Sequence, residues 1–332
     1  MDKFTITRVP VIDGIPTDWD RFVDESDSGC LFLQSRYFTL QPILKWRPVC
    51  YRVTTADGQT VLWQALVYER KIRFGIRVAM PGVNTPVMGF IPAGGIDDDK
   101  LLEASLEALI TRLRADYRLC VLPLAWRFPH TNLLRNKPGV SLLESGTTVL
   151  EYRDGLDAAS LLKACQSNRR WSIRRAEKVG IIILTDPGER YTLEFLQLYE
   201  DTFRRQGINP PMSADELLTY CNLIVERKIG RLSFAISEEK VAAAMLSACD
   251  NNYDYYLIGV YDEDLKVTNA QSLLVYSQIA ESIKRGRGFD FEGSKVPGIR
   301  SFFESFGAKY VPSPVCLLRS GLAGLWLSRR YT

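Results

Sequence analysis

The chain has 332 residues, enough at roughly 100 to 200 residues per domain for about two domains, each able to bury its own core. Apolar residues make up 46%, charged residues 24% and aromatics 11%, a globular balance that excludes a disordered or collagen-like chain. Forty-two Lys and Arg face 39 Asp and Glu, a net charge of +3, which is too small a surplus to mark a nucleic-acid binder; DNA is not an expected partner, and any anion site must be local.

In chain order, residues 49–54 form a β-rich run, Ala56-Asp57-Gly58 a turn signal, and 61–68 and 71–80 two further strands, so a meander is predicted. After the Gly- and Pro-rich stretch PGVNTPVMGFIPAGG, Asp97, Asp98 and Asp99 suit a helix N-terminus. LLEASLEALITRLRADY then continues with apolar residues three and four apart, which predicts a helix. The run LCVLPL at 119–124 reads as a buried strand.

The second half repeats this order. Residues 231–237, 241–249 and 253–260 read as strands separated by turns, YDEDLKVT as a loop, Asn269 as a cap for the helix AQSLLVYSQIAESIKRG, and 289–291 as the strand that follows. Corresponding landmarks, Asp57 and Glu239, Asp97 and Asn269, Cys120 and Phe289, lie about 170 to 180 residues apart, which suggests a duplicated domain. The join falls within 145–165, too short for a flexible tether, so the predicted domains are 1–150 and 151–332. DAASLLKACQSNRRWSIRRAEKVG and LEFLQLYEDTFRRQG read as helices stopped by Gly180 and Gly207. The tail GLAGLWLSRRYT is expected to dock as a C-terminal helix, its alternative being a short end that touches a membrane through Trp326.

No apolar run reaches the ~18 residues of a membrane span, and the N-terminus lacks a signal-peptide pattern, so a cytoplasmic protein with at most peripheral membrane contact is expected. Seven scattered cysteines without a Cys-x-x-Cys spacing suggest neither a disulfide framework nor a zinc site. With His130 the single histidine, no mechanism needing two imidazoles is available within one chain, and no metal is expected; His130 itself reads as a surface or capping residue.

Three segments, SNRRWSIRRAEKVGI, YYLIGVYDEDLKVTNAQSLLVYSQIAESIKRG and FDFEGSKVPGIRSFFESFGAKY, resemble the FemAB/FemX-type tandem acyltransferases of the GNAT superfamily. The resemblance covers about residues 150–318 and reaches the first half only through the repeated element order. It implies an α/β (α+β) fold of two tandem GNAT-like lobes, each a mixed, largely antiparallel sheet with helices on both faces. It also implies strands that splay to admit an acyl donor, and direct attack of an amine on the donor carbonyl without a Ser-His or Cys-His pair. Two departures matter. The lysine usual in the last helix of the family is replaced by Phe303, and the loop Asp262–Thr268 carries three carboxylates and one lysine where GNAT enzymes cradle the pyrophosphate of coenzyme A.

Candidate site residues follow. The segment 163–178 holds six cations, Lys163, Arg169, Arg170, Arg174, Arg175 and Lys178, and one acid, Glu177. On a helix Lys163, Arg170, Arg174 and Lys178 share a face fit for phosphate or carboxylate, and Arg170, Arg174, Arg175 and Lys178 are the expected substrate-binding residues, with Ser294. Asp290 and Glu292, two apart in a strand, point to the same side; Glu292 is the expected base, Asp290 its orienting partner, and Tyr261 a third candidate at the strand end. The expected activity is N-acyl transfer from acyl-CoA or an aminoacyl donor to a primary amine on a sugar, peptide, lipid or cell-wall precursor. An aminoacyl-tRNA-dependent peptidoglycan-precursor transferase is the enzymatic alternative, tRNA then being a partner, and a degenerate, non-catalytic GNAT-like binding protein is the other.

Overall fold

The computed structural model describes residues 3–186, 188–293 and 297–329. The first half carries β1 (Phe4–Pro10), α1 (Trp19–Glu25), α2 (Ser35–Phe38), β2 (Arg47–Thr55), β3 (Val61–Lys71), β4 (Arg77–Ala79), β5 (Gly89–Pro92), α3 (Asp99–Asp116), β6 (Leu119–Pro123), α4 (Thr131–Leu134), β7 (Val140–Leu143) and β8 (Gly146–Leu150). The second carries α5 (Ala158–Ala164), α6 (Ser167–Lys178), β9 (Ile182–Thr185), α7 (Thr192–Arg205), α8 (Ala214–Glu226), β10 (Gly230–Ser237), β11 (Lys240–Cys249), β12 (Tyr253–Tyr261), α9 (Ala270–Lys284), β13 (Gly288–Asp290), α10 (Pro297–Glu304), β14 (Lys309–Pro312), β15 (Val315–Arg319) and α11 (Gly321–Ser328).

Two compact units result: the chain up to Gly146 together with the tail from Pro312, and Thr147–Val311. In the first sheet the order is β1-β2-β3-β4-β6-β15-β7, with β5 beside β3; in the second it is β9-β10-β11-β12-β13-β8-β14. The two orders correspond place for place. Each has one parallel neighbour pair, β4 with β6 and β12 with β13, because a helix, α3 or α9, carries the chain back between them. The remaining pairs of known register are antiparallel, giving two mixed sheets of tandem GNAT-like form.

The division expected at 150/151 therefore needs correcting at the tail. The apolar run of β15 pairs with β6 from Val315 opposite Pro123 to Arg319 opposite Leu119, and β8, from the first half, pairs with β13 in the second sheet. Each sheet takes one strand from the far half of the chain.

Local chemistry explains the elements that position the site. Asp98 caps α3 by accepting the Leu101 amide at 3.0 Å, a bond worth about 1 kcal/mol. Gly180 and Gly207 end α6 and α7 at φ +80° and +69°, a region that favours glycine. Three expectations shift. The predicted strand 71–80 keeps three residues as β4 because Arg73–Gly75 turns, with Phe74 at φ 61°. The single helix predicted through 157–180 breaks into α5 and α6 at Cys165 and Gln166, both extended, where the Gln166 amide bonds Ser305 O instead. Asn269 precedes α9 in the left-handed region without capping it; its side chain bonds Val267 O.

α9 is fixed to its sheet by a buried charge network. Asp254, 0% exposed, accepts from Arg231 at 2.5 Å, Arg287 at 3.2 Å and Ser282 at 2.7 Å, and Arg231 also reaches Gln278 at 2.7 Å. Ala242, Met245, Leu274, Ile279 and Phe289 pack in the same core. Among the described residues, no helix is long and apolar enough to cross a membrane.

Candidate functional site

Beyond Tyr255 the central strands of the second sheet part. β12 and β13 pair only over Tyr253–Tyr255 and Gly288–Asp290, while β12 runs on to Tyr261 with no further pairing to β13 among the described residues. Opposite Leu246 and Ser247 the register shifts, leaving Leu257 as an extra residue in β12; a bulge of this kind bends a strand and re-aims its side chains.

Aromatic rings occupy the wedge. Phe303 is buried, with its ring centroid 4.8 Å from Phe291 and 5.4 Å from Tyr256. A lysine here would give up this packing and bring a charge into a buried position, so an aromatic residue suits it. Tyr256 folds its ring along β12 over Gly259, where a Cβ would stand 1.5 Å from the hydroxyl oxygen. Burial pushes the Tyr256 hydroxyl up to about 12, partly offset by its bond to Gln271.

At the far end of β12 lies a cavity of about 210 Å³, lined by Arg169, Tyr261, Asp262, Asn269, Gln271 and Phe302 among others. The first turn of α9 borders it, so the positive end of that helix dipole faces the space. Arg169 reaches in from α6. Its Nε donates to Ser305 Oγ at 2.8 Å, its second nitrogen to Ser272 Oγ, and its guanidinium lies 4.2 Å from the Phe302 ring centroid and 5.0 Å from that of Phe306. Burial lowers its pKa from the ordinary arginine value, and among the described residues no carboxylate lies within ion-pair reach. A half-buried cation without a counter-ion is costly unless an anion joins it.

The loop before α9 does not offer that charge to a pyrophosphate. Its lysine, Lys266, is held by Glu263 at 2.6 Å, which raises the Lys266 pKa and lowers that of Glu263, and Asp262 and Asp264 stand beside them. Tyr261 lines the cavity, with Arg205 and Lys266 at 5.2 and 5.8 Å from its ring centroid.

Asp290 and Glu292 come together, though not by strand alternation as expected. β13 stops at Asp290, Glu292 takes φ +61°, and the Glu292 amide donates to Asp290 Oδ1 at 2.9 Å. Thr147 donates its hydroxyl to the same oxygen. Part of Glu292 is exposed, but its Oε1 is buried without a hydrogen-bond partner among the described residues. Desolvation first, and then the neighbouring Asp290, hold its pKa well above the usual carboxylate range. Neither acid lines the 210 Å³ cavity.

The remaining expected residues divide. Arg170 donates to the carbonyls of Lys163 and Cys165 at the end of α5. Arg175 reaches Val267 O at 3.4 Å and lies 5.6 Å from the Trp171 ring centroid. Arg174 and Lys178 are exposed and, among the described residues, unpaired. None of the four lines the cavity. Ser294 and its neighbour Lys295 lie outside the described residues. Arg169 was visible in the basic run but is on another face of the helix, four residues before buried Ile173; Tyr256 and Thr147 gave no signal beyond strand packing. His130 precedes α4 without a side-chain cap bond and packs against Trp63 and Phe128.

Residues 163–297 match the family model described as an acetyltransferase (GNAT) domain. No curated protein matches by sequence. Among solved structures the chain is similar to FemX, at 12% identity and TM-score 0.70 over 98% of this chain and 99% of that one. It is also similar to L-PGS from Bacillus licheniformis, at 13% identity and TM-score 0.54 over 95% and 96%, and to a tandem GNAT protein from the clavulanic acid biosynthesis pathway, at 10% identity and TM-score 0.53 over 94% and 98%. The second unit thus contains a GNAT domain, and the chain has a FemX-like tandem GNAT fold.

Proposed function

For a chain with a FemX-like tandem GNAT fold, we propose the work of an N-acyltransferase that moves an acyl or aminoacyl group to a primary amine on a sugar, peptide or lipid precursor. The reading is carried by one observation: β12 and β13 part beside a small cavity lined by the Arg169 guanidinium, which has no carboxylate partner among the described residues. An unpaired strand edge offers backbone N–H groups to the oxyanion that forms when an amine attacks a carbonyl. Arg169 and the α9 terminus hold an anionic group of donor or acceptor, and Arg174, Arg175 and Lys178 extend positive charge along α6.

The amine nitrogen bonds to the carbonyl carbon as the bond from that carbon to the donor's leaving atom breaks. The proton lost by the ammonium passes, directly or through one water, to the Asp290–Glu292 pair, where a carboxylate of raised pKa is the stronger base once ionised. Tyr256, which keeps its proton at neutral pH, supplies one to the leaving atom and is restored by the second proton that the nitrogen sheds on becoming the amide. Because the loop Asp262–Thr268 does not fit the coenzyme A pyrophosphate, no step is assigned to that group. The test has two arms, thiol release from acyl-CoA with a panel of amines and tRNA-dependent incorporation of an amino acid into a cell-wall precursor. Turnover in either supports the reading; silence in both overturns it in favour of a non-catalytic binding role.

A further inference from the structure

The first unit holds a groove of about 1050 Å³ that shares no lining residue with the Arg169 cavity. Its floor is one face of β1 to β4. Arg8 lies opposite Tyr51, Arg47 opposite Glu69, and Lys71 opposite Arg77, and because side chains two apart in a strand share a face, all six point the same way. α3 covers this face around Trp63, which donates to Leu102 O at 3.2 Å. The helix ends where Asp116 accepts from Tyr51 at 2.7 Å and Tyr117 donates to Glu69 at 3.2 Å. The rows of Arg47 and Lys71 lie beyond that end, both side chains exposed, with Arg77 half-buried beside them.

Five cations, Arg8, Lys45, Arg47, Lys71 and Arg77, line the groove against two acids, Asp13 and Glu69, a surplus of three that equals the net charge of the whole chain. Glu69 is already matched, since Arg8 donates to it at 2.6 Å. The side chains of Arg47, Lys71 and Arg77 have no ion-pair or hydrogen-bond partner among the described residues. Lys71 and Arg77 are like charges directly across a strand pair, a placement that costs stability unless an anion lies between them. Two guanidinium forks and an ammonium present the donors that a phosphate dianion takes.

The opposite edge is apolar. From β4 across to β1, the strand order carries the lining from Lys71 and Arg77 past Val49 to Pro10, Val11 and Ile12, and Ile12 is 94% exposed. Inorganic phosphate would leave that edge in water, whereas an uncharged apolar molecule would leave the three cations unmatched. The volume is that of a small-molecule site, which runs to roughly 300 to 1,000 Å³. We propose that this groove binds an organic phosphate monoester, its phosphate among Arg47, Lys71 and Arg77 and its apolar body against Val49 and Ile12. The inference does not depend on the acyltransferase reading.

The test is calorimetric titration of the full chain at low salt with naphthyl phosphate, inorganic phosphate and naphthol. The ester should bind at least about tenfold more tightly than either of the others and weaken as salt is raised. Arg47→Gln with Arg77→Gln should weaken the ester by about tenfold or more and leave thermal unfolding unchanged, since neither side chain has a partner. Ile12→Asn should weaken the ester and leave inorganic phosphate as it was. Arg169→Ala, in the second unit, should change neither. No binding of the ester, an affinity equal to that of inorganic phosphate, or a loss caused by Arg169→Ala and not by the double variant overturns the proposal. Vesicles of phosphatidylcholine with phosphatidic acid, which carries the same phosphate monoester, distinguish the source. Pelleting abolished by the double variant assigns the ester to a lipid, and binding of naphthyl phosphate without pelleting assigns it to a soluble molecule.

Discussion

Arg169 sends its guanidinium 4.2 Å over the ring centroid of Phe302, the residue next to Phe303, where the resembling family carries a lysine. A positive charge thus reaches the mouth of the wedge from α6 rather than from α10. Arg169→Ala should raise the KM for the anionic substrate by about tenfold or more with a smaller fall in kcat. Arg169→Lys should recover little of it, because an ammonium cannot stack on Phe302 and Phe306 and reach both serines. Equal kinetics for all three proteins would remove Arg169 from the site.

Phe303→Lys tests the same relationship from the other side. Phe303 is 5% exposed and stacked on Phe291, so a lysine there would lose the packing and bury a charge, costing about 3 to 5 kcal/mol. Denaturant unfolding should show it, and an unchanged midpoint would mean that the wedge opens to water.

Glu292→Gln separates chemistry from stability. As proton acceptor, Glu292 should be missed by about 10² in kcat, with part of the loss recovered at higher pH as more amine is free base. Its folded pKa is raised, so the folded state favours the protonated acid. That contribution is fully present below the unfolded carboxylate pKa and is lost as pH rises through the folded one. The neutral amide does not pay this, and the melting temperature of the variant should exceed that of the wild type by a margin that widens from pH 5 to pH 8, values bracketing the usual range of greatest stability. A constant margin would show that the carboxyl is ionised and paired.

Gly259→Ala and Tyr256→Phe should behave as one lesion. Any Cβ at 259 displaces the Tyr256 hydroxyl, so each single variant should lower kcat and the double variant should add little to either. Additive losses would separate the two residues.

Arg174→Gln with Lys178→Gln should leave stability within about 0.5 kcal/mol, since both side chains are exposed and unpaired among the described residues. Arg170→Gln should cost about 1 kcal/mol, because it removes bonds to carbonyls at the end of α5. Thermal unfolding distinguishes them; the reverse order would mean that the exposed pair is structural.

Much of both units was legible where the signals are local. Alternating apolar residues set β10, β11 and β12, and period-3.6 spacing set α3 and α9, each within a few residues of the observed bounds. What escaped depends on partners distant in sequence. Nothing around Val315 tells that it pairs with Pro123, and the break at Cys165 is stabilised by Ser305, some 140 residues away. At the site, the basic run announced an anion-binding helix, but helix phase alone favoured the face of Arg170, Arg174 and Lys178. The preference for Arg169 arises from Phe302, Ser305 and Ser272, on elements whose approach no spacing encodes. Asp290 and Glu292 were paired for a reason that does not hold, since their meeting depends on a left-handed residue just past the strand.

The crossing of β8 into the second sheet and β15 into the first has an evolutionary consequence. Two copies that merely sat in tandem could be separated by recombination, each leaving with its sheet complete. Here the second sheet is encoded by one continuous stretch, Thr147–Val311, set inside the first unit, whose β15 follows it. A fragment carrying the second unit can leave with its sheet complete, whereas one ending after β8 leaves the first sheet without β15, so no single fragment carries the first unit without the second.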